Sequence, residues 1–118
     1  RDISRLEERG IEDAEVVLVA YGISARVAYR AMELARAAGR RVGWLRLITV
    51  WPFPEERLRD LATRVRAFIV PELNLGQIVR EVERCANGRA RTIPVLRPGG
   101  AVHDPREILA SIEEAFHD

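Results

Sequence analysis

One apolar run near the start of the chain constrains the fold more than any other feature. Residues 16–20 are all apolar and mostly β-branched, and Gly22 and Ser24 follow directly. A strand that is apolar on both faces is typical of a parallel sheet with helices above and below it. Gly22 allows the chain to turn, and we predict that Ser24 caps the helix that follows. We therefore expect a doubly wound α/β fold with this strand at its centre.

The pattern of an apolar strand followed by an amphipathic helix occurs four times. Strands that alternate with helices of this length predict right-handed crossovers and a mainly parallel sheet. We predict a three-layer fold with the strands in the spatial order two-one-three-four, which puts the second strand at a flank. The predicted strands are 16–20, 42–48, 67–71 and 92–96, and the predicted helices cover about 25–38, 54–65, 78–86 and 105–116.

Cap residues mark several helix ends. Asp104 as N-cap, Pro105 at the first helical position and Glu107 at the third predict a capping box at the last helix. Pro54 is expected to open the second helix, and Gly39 to end the first.

Composition limits the class of protein. The chain has 118 residues, which suit one α/β domain over 13–118 after a lead-in segment, 1–12, that we expect to be a frayed helix or irregular. The net charge of +1 is spread along the chain, and no apolar run is long enough to span a membrane, so we expect neither nucleic acid nor a membrane as a partner. The single cysteine, Cys85, predicts a buried thiol and a cytoplasmic protein.

The topological switch between the first and third strands predicts a crevice. Tyr21 and Ser24 would line it from one side, and Glu72, Asn74 and Gln77 from the other. This cluster has three interpretations. The amides could turn and cap the backbone while Glu72 pairs with an arginine, the loop could form an interface, or the crevice could bind a ligand.

Two other segments are candidates for function. Trp51 and Phe53 lie in a proline-rich turn, where the rings either close the edge of the sheet or anchor another surface. Arg97 is followed by Gly99 and Gly100, which either cradle an anion or form an ordinary loop.

Familiar catalytic patterns are missing from the sequence. Gly22 to Arg26 lies at a strand-turn-helix but has arginine where a nucleophile elbow needs a small residue, and no G-x-G-x-x-G follows the first strand. The chain has no lysine for Schiff-base chemistry and no metal-ligand spacing. These patterns therefore identify no catalytic site or metal site in this chain.

Four stretches taken together resemble the C-terminal domain shared by the transketolase superfamily of thiamine diphosphate enzymes. More narrowly, they resemble that domain in the alpha subunit of 2-oxoacid:ferredoxin oxidoreductases, the 2-oxoglutarate type in particular. Leu47 stands where the family often has proline. The stretches are 13–22, 45–54, 72–77 and 97–100.

The resemblance implies a complex that oxidatively decarboxylates a 2-oxoacid, forms an acyl-CoA and reduces ferredoxin through an iron-sulfur cluster. It places thiamine diphosphate, magnesium and the cluster outside this chain, in the rest of the alpha subunit and in a beta subunit, and it implies no catalytic, cofactor-binding or metal-binding residue within the chain. One cysteine cannot ligate a four-iron cluster, which agrees with this division. The chain, which begins at Arg1, would be a structural and assembly part of a longer polypeptide and inactive alone.

Two alternatives remain open. A free-standing doubly wound module could bind a small anionic ligand at the crevice, and it should then bury Trp51 and Phe53 and have a closed, polar pocket. An assembly domain should expose these two rings. A third reading, the beta subunit of a 2-oxoacid dehydrogenase, fits the Trp-Pro-Phe-Pro stretch less well.

Overall fold

The computed structural model describes residues 5–73, 76–97 and 103–117, which form five strands and four helices. The order along the chain is strand, then four strand-helix units, as the repeated pattern predicts. The elements are β1 (Leu6–Arg9), β2 (Val16–Tyr21), α1 (Ile23–Ala37), β3 (Val42–Leu47), α2 (Glu55–Ala62), β4 (Ala67–Glu72), α3 (Gln77–Ala86), β5 (Arg91–Leu96) and α4 (Pro105–Phe116).

The strands form one sheet in the order β1-β3-β2-β4-β5. The four predicted strands, β2 to β5, are parallel to one another, and their order β3-β2-β4-β5 confirms the prediction. The carboxyl ends of these four strands therefore lie at one edge of the sheet, which we call the carboxyl edge. Their amino ends lie at the opposite edge, the amino edge.

The lead-in segment corrects two predictions. Leu6–Arg9 is neither a frayed helix nor irregular but pairs antiparallel with β3, so β3 is not a flank strand. The Leu-Glu-Glu-Arg sequence has no apolar alternation, but besides its pairing with β3 it forms one ion pair with that strand and one with α2. The carboxylate of Glu7 lies 3.2 Å from the Arg46 guanidinium, and that of Glu8 lies 2.7 Å from Arg57. Charged side chains of this kind suit an edge strand because they discourage further pairing.

The central strand is buried on both faces, which explains its continuous apolar run. Val17 and Val19 pack on the side of α2 and α3, whereas Val16, Leu18 and Ala20 pack on the side of α1 and α4. Successive side chains of a strand point to opposite faces, so each half of the run belongs to a separate core. The predicted three-layer architecture is confirmed.

Most helix ends agree with the cap signals. The capping box of α4 is present, with Asp104 accepting from the Arg106 N–H at 2.8 Å and Glu107 accepting from the Asp104 N–H at 2.9 Å. Gly39 follows the C-cap of α1 with φ of 88°, as expected. Pro54 lies at the N-cap of α2, one position before the predicted one, and α2 ends at Ala62, three residues earlier than predicted.

Candidate functional site

A crevice opens between β2 and β4 at the carboxyl edge. The two strands pair only from Val16 to Leu18 and from Ala67 to Ile69, although β2 continues to Tyr21 and β4 to Glu72. The separated ends enclose about 200 Å³. This volume is small for a pocket that binds an organic ligand. The lining residues are Tyr21, Gly22, Ile23, Pro71, Glu72, Leu73 and Ile78.

The predicted crevice residues are only partly brought together. Tyr21 and Glu72 line the crevice, while Gln77 lines an adjoining depression of about 230 Å³ with Tyr21, Val50, Trp51 and Ile78. Asn74 lies outside the described residues.

Ser24 does not cap α1, which corrects that prediction. The helix begins at Ile23 with Gly22 at the N-cap, no side chain caps it, and Ser24 is buried within its first turn. Gly22 has φ of 62°, so the chain passes from strand to helix in a single residue. A capping serine would have to lie before the helix, and the glycine turn leaves no position for it.

Glu72 has the most distinctive environment in the crevice. It is only 2% exposed, and its carboxylate accepts the backbone N–H groups of Ile78 at 3.0 Å and Val79 at 3.2 Å. Glu72 therefore caps the start of α3. The interpretation in which Glu72 pairs with an arginine is wrong. A carboxylate at a helix N-terminus satisfies free N–H groups and interacts favourably with the helix dipole. The residue types around Glu72 do not indicate this role, because the capping residue lies five positions before the first residue of the helix.

The two aromatic rings of the Trp51–Pro54 turn have different surroundings. Trp51 is 61% exposed, whereas Phe53 is 7% exposed and belongs to the core under α2. The ring centroids are 6.1 Å apart. From the sequence, we expected both rings either to close the edge of the sheet or to anchor another surface. In the structure Phe53 closes the core and Trp51 remains available for contact.

All large apolar side chains that are exposed in the described part of the chain lie at the carboxyl edge. They end a strand, begin a helix or lie in the loop that follows a strand, and together they form what we call the edge surface. Tyr21 lines the crevice with Ile23 and the adjoining depression with Trp51, and exposed apolar groups gathered in this way mark interaction sites more often than isolated ones do. The residues of the edge surface are Tyr21, Ile23, Ile48, Trp51 and Leu96.

Gly99 and Gly100, which lie between Arg97 and His103, are outside the described ranges. The Arg97 guanidinium is 3.5 Å from the Glu107 carboxylate, and its backbone N–H donates to the Glu72 carbonyl at 3.0 Å. His103 is 3% exposed, and its Nε2 donates to the Val95 carbonyl. Within the described residues its Nδ1 has no partner. Nothing in the sequence around His103 indicates that it is buried.

The described residues do not fit an iron-sulfur cluster or a magnesium diphosphate site. Cys85 is buried in the core, and burial raises the pKa of its thiol, which opposes the thiolate form that metals bind. Across residues 5–73, 76–97 and 103–117, no three His, Cys, Asp or Glu side chains come together as a metal site requires. Over the same ranges, no helix has both the length and the apolar character needed to cross a bilayer.

The fold and the edge surface define a class of protein: a doubly wound α/β domain whose parallel sheet ends in an exposed apolar surface. Residues 14–108 match the family model described as pyruvate:ferredoxin oxidoreductase core domain II. The chain belongs to this family, which confirms the resemblance to 2-oxoacid:ferredoxin oxidoreductases.

Two sequence relatives come from Methanothermobacter marburgensis. The ketoisovalerate oxidoreductase subunit VorB is 50% identical over 110 residues, which are 93% of this chain and 31% of that protein. The 2-oxoglutarate synthase subunit KorA is 40% identical over 101 residues, which are 86% of this chain and 27% of that protein. This chain therefore spans less than a third of the length of either relative.

Two solved structures share the fold. A 2-oxoglutarate:ferredoxin oxidoreductase from Magnetococcus marinus matches with a TM-score of 0.83 and 25% identity, over 96% of this chain and 20% of that chain. A split-gene transketolase matches with a TM-score of 0.76 and 18% identity, over 92% of this chain and 41% of that chain. The second match shows a shared fold alone and agrees with the transketolase-like architecture predicted from the sequence.

Proposed function

We propose that this chain is a non-catalytic assembly domain in the alpha subunit of a cytoplasmic, thiamine diphosphate-dependent 2-oxoacid:ferredoxin oxidoreductase. The observation that carries the proposal is the edge surface, where every exposed large apolar side chain of the described residues is gathered. An isolated domain gains nothing from exposing Trp51, whereas a domain of a larger enzyme can bury it against a neighbour.

The complete enzyme would oxidatively decarboxylate a 2-oxoacid, transfer the acyl group to CoA and pass electrons to ferredoxin. The names of the relatives support this activity. Thiamine diphosphate, magnesium and the iron-sulfur cluster would bind in the rest of the alpha subunit and in a beta subunit. The buried, single Cys85 supports this placement because a cluster requires several accessible thiolates.

The substrate of the complete enzyme is one particular 2-oxoacid. We propose 2-oxoglutarate, in line with the sequence resemblance and with the 2-oxoglutarate enzymes among the matches. Ketoisovalerate is the second candidate because the VorB subunit shares 50% identity with this chain, against 40% for KorA. A comparison of the two substrates in the complete enzyme would distinguish them.

A free-standing module for anionic ligands is less well supported. The crevice is open and small, and the charged side chain in its lining is a carboxylate, which repels anions. Glu72 also occupies the backbone N–H groups at the start of α3 that would otherwise attract an anion. The polar pocket expected of such a module therefore has the wrong charge here.

We assign the Trp51–Pro54 turn or the Glu72–Gln77 segment to a contact with another part of the enzyme. In the complete complex, Trp51→Ala should weaken assembly by about 2 kcal/mol, roughly thirtyfold, because a buried tryptophan anchor is typically worth this much. Activity should fall with assembly, and thiamine diphosphate affinity should not change. Analytical ultracentrifugation and a ferredoxin reduction assay measure these quantities.

Phe53→Ala provides the contrast within the same turn. Because Phe53 is buried in the core, its loss should lower the free energy of unfolding of the domain by about 3 kcal/mol, whereas Trp51→Ala should leave that stability nearly unchanged. A Trp51→Ala complex with wild-type assembly and activity would remove the assignment of this turn.

A further inference from the structure

A second cavity adjoins the crevice at Gly22, between the first two turns of α1 and the end of β3. It encloses about 320 Å³, against about 200 Å³ for the crevice. The larger volume lies within the range of cavities that hold small organic ligands. The lining residues of this space, which we call the arginine cavity, are Gly22, Ala25, Arg26, Tyr29, Trp44 and Arg46.

The arrangement of α1 on the sheet leaves this space open. Side chains alternate along β3, so Arg46 points to the same face of the sheet as Trp44, which packs in the core under α1. On that face α1 packs against β2, β3 and β4, whereas β1 lies farther out, at the edge of the sheet. The arginine cavity therefore occupies the angle between α1 and β3.

One wall of the arginine cavity is aromatic and held in place. The Trp44 indole N–H donates to the Ala25 carbonyl at 2.8 Å, and the Tyr29 ring packs edge-on against Trp44, with ring centroids 4.9 Å apart. Trp44 is only 5% exposed, and the half-buried Tyr29 is the more accessible part of the wall. Because this wall is formed before binding, a flat apolar group can pack on it at little entropic cost.

The charge around the arginine cavity is positive. Arg26 is exposed and has no carboxylate partner in the part of the chain that the structure describes. The Arg46 guanidinium lies 3.2 Å from the Glu7 carboxylate, but Glu7 is shared with Arg9, which lies 3.1 Å from it. One carboxylate thus serves two arginines, and Arg26 is not neutralised. The lining contains no carboxylate, in contrast to the crevice, where Glu72 is part of the wall.

We propose that the arginine cavity binds a phosphate monoester that carries one flat apolar group. The planar fork of a guanidinium group matches phosphate oxygens, and the two arginines of the lining favour a doubly charged group over a single carboxylate. The apolar group packs against Tyr29 and Trp44. This inference goes beyond the proposed function because it gives the chain a ligand of its own, and it requires no neighbouring domain.

Fluorine NMR of the intact protein, labelled with 5-fluorotryptophan, tests the site with phenyl phosphate as the probe. The Trp44 resonance is the one lost in Trp44→Phe, and Trp51, outside the arginine cavity, is the internal reference. At about pH 7.5, where phosphate monoesters are mostly doubly charged, phenyl phosphate should shift the Trp44 resonance. For a ligand of this size we expect a dissociation constant of about 1 mM.

Two further probes separate the contributions of charge and ring. Inorganic phosphate should bind about fivefold more weakly than phenyl phosphate, because it lacks the ring that packs on the aromatic wall. Benzoate has the ring but a single charge, and it should bind about tenfold more weakly.

A matched pair of variants tests the role of the unpaired arginine. Arg26→Gln should weaken the binding of phenyl phosphate about tenfold, because it removes charge-assisted hydrogen bonds to the phosphate. The variant should fold normally, since Arg26 is exposed, and an unshifted Trp44 resonance without ligand verifies this. Arg89→Gln removes an exposed arginine that also lacks a carboxylate partner among the described residues, but at the amino edge, and should leave binding unchanged.

Several results would overturn the proposal. The site is refuted if phenyl phosphate at about tenfold the expected dissociation constant leaves the Trp44 resonance in place, or if it shifts Trp44 and Trp51 equally. Equal losses in Arg26→Gln and Arg89→Gln would also refute it. Benzoate that binds as tightly as phenyl phosphate overturns the choice of phosphate, and inorganic phosphate that binds equally well overturns the apolar group. These readouts involve no turnover, so they are separate from the ferredoxin reduction assay that tests the proposed function.

Discussion

Glu72 offers the sharpest test of how the carboxyl edge is built. Its buried carboxylate accepts two backbone N–H groups at the start of α3, at 3.0 and 3.2 Å. We expect Glu72→Ala to destabilise the domain strongly and Glu72→Gln to have an intermediate effect. The amide retains an acceptor oxygen, but it loses the negative charge and directs its NH₂ group at a donor.

The expected loss of stability in each Glu72 variant follows from the two hydrogen bonds that the carboxylate accepts. Leaving one buried donor without a partner costs about 1–3 kcal/mol, so the loss of both bonds in Glu72→Ala should cost about 4 kcal/mol. Glu72→Gln should cost about 2 kcal/mol, since one bond is lost and the other is no longer charge-assisted. For a domain of 118 residues, 1 kcal/mol corresponds to a shift in melting temperature of about 4 °C.

Urea denaturation, monitored by circular dichroism, measures the free energy of unfolding of both Glu72 variants. Glu83→Gln is the matched control because Glu83 is exposed near the end of the same helix, and we expect its effect to stay within about 0.5 kcal/mol. If Glu72→Ala were as stable as Glu83→Gln, the carboxylate would not hold the start of α3. The crevice would then need another explanation for its buried charge.

Two further predictions concern stability away from the crevice. Hydrogen bonds from the side chain and backbone of Arg106 lower the pKa of Asp104 to about 2, from an ordinary value of 3.8. The stability that ionised Asp104 contributes to the folded domain is therefore complete above pH 3.8 and is lost as the pH falls toward 2. Asp104→Asn keeps the cap but cannot titrate, so this variant should lack that pH dependence in acid denaturation. An identical acid profile for the two proteins would contradict the prediction. Gly43→Ala should destabilise the domain by about 1–3 kcal/mol, because the added Cβ would lie 3.0 Å from the Gly10 carbonyl oxygen and 3.0 Å from the Ala14 Cβ. If Gly43→Ala melted at the same temperature as the wild-type domain, the prediction would be wrong, and residues 10–14 would have to shift to make room for the added Cβ.

The fold class could be predicted because its signals are local. Apolar runs with β-branched residues, helical spacing and turn glycines each depend on a few neighbouring residues, and together they indicate four crossover units. The capping box of Asp104 is equally local, and it was predicted correctly. The strand order was predicted from the order that is typical of doubly wound folds, without knowledge of long-range contacts.

Tertiary contacts decided what these local patterns could not. Leu6–Arg9 has no strand signal of its own, and it is the edge strand because its backbone pairs with β3, a segment far along the chain. Glu72 was predicted to lie in the crevice, but its cap on α3 depends on a loop geometry that residue types do not specify.

The sequence alone determined the architecture, the family and the position of the crevice, since each follows from short-range patterns. Only the tertiary structure decided that Phe53 is buried while Trp51 is exposed, and that Glu72 caps α3 instead of pairing with an arginine. The physical reason is that burial and charge pairing depend on which distant segments fold against a side chain, whereas helix and strand preferences depend on its immediate neighbours.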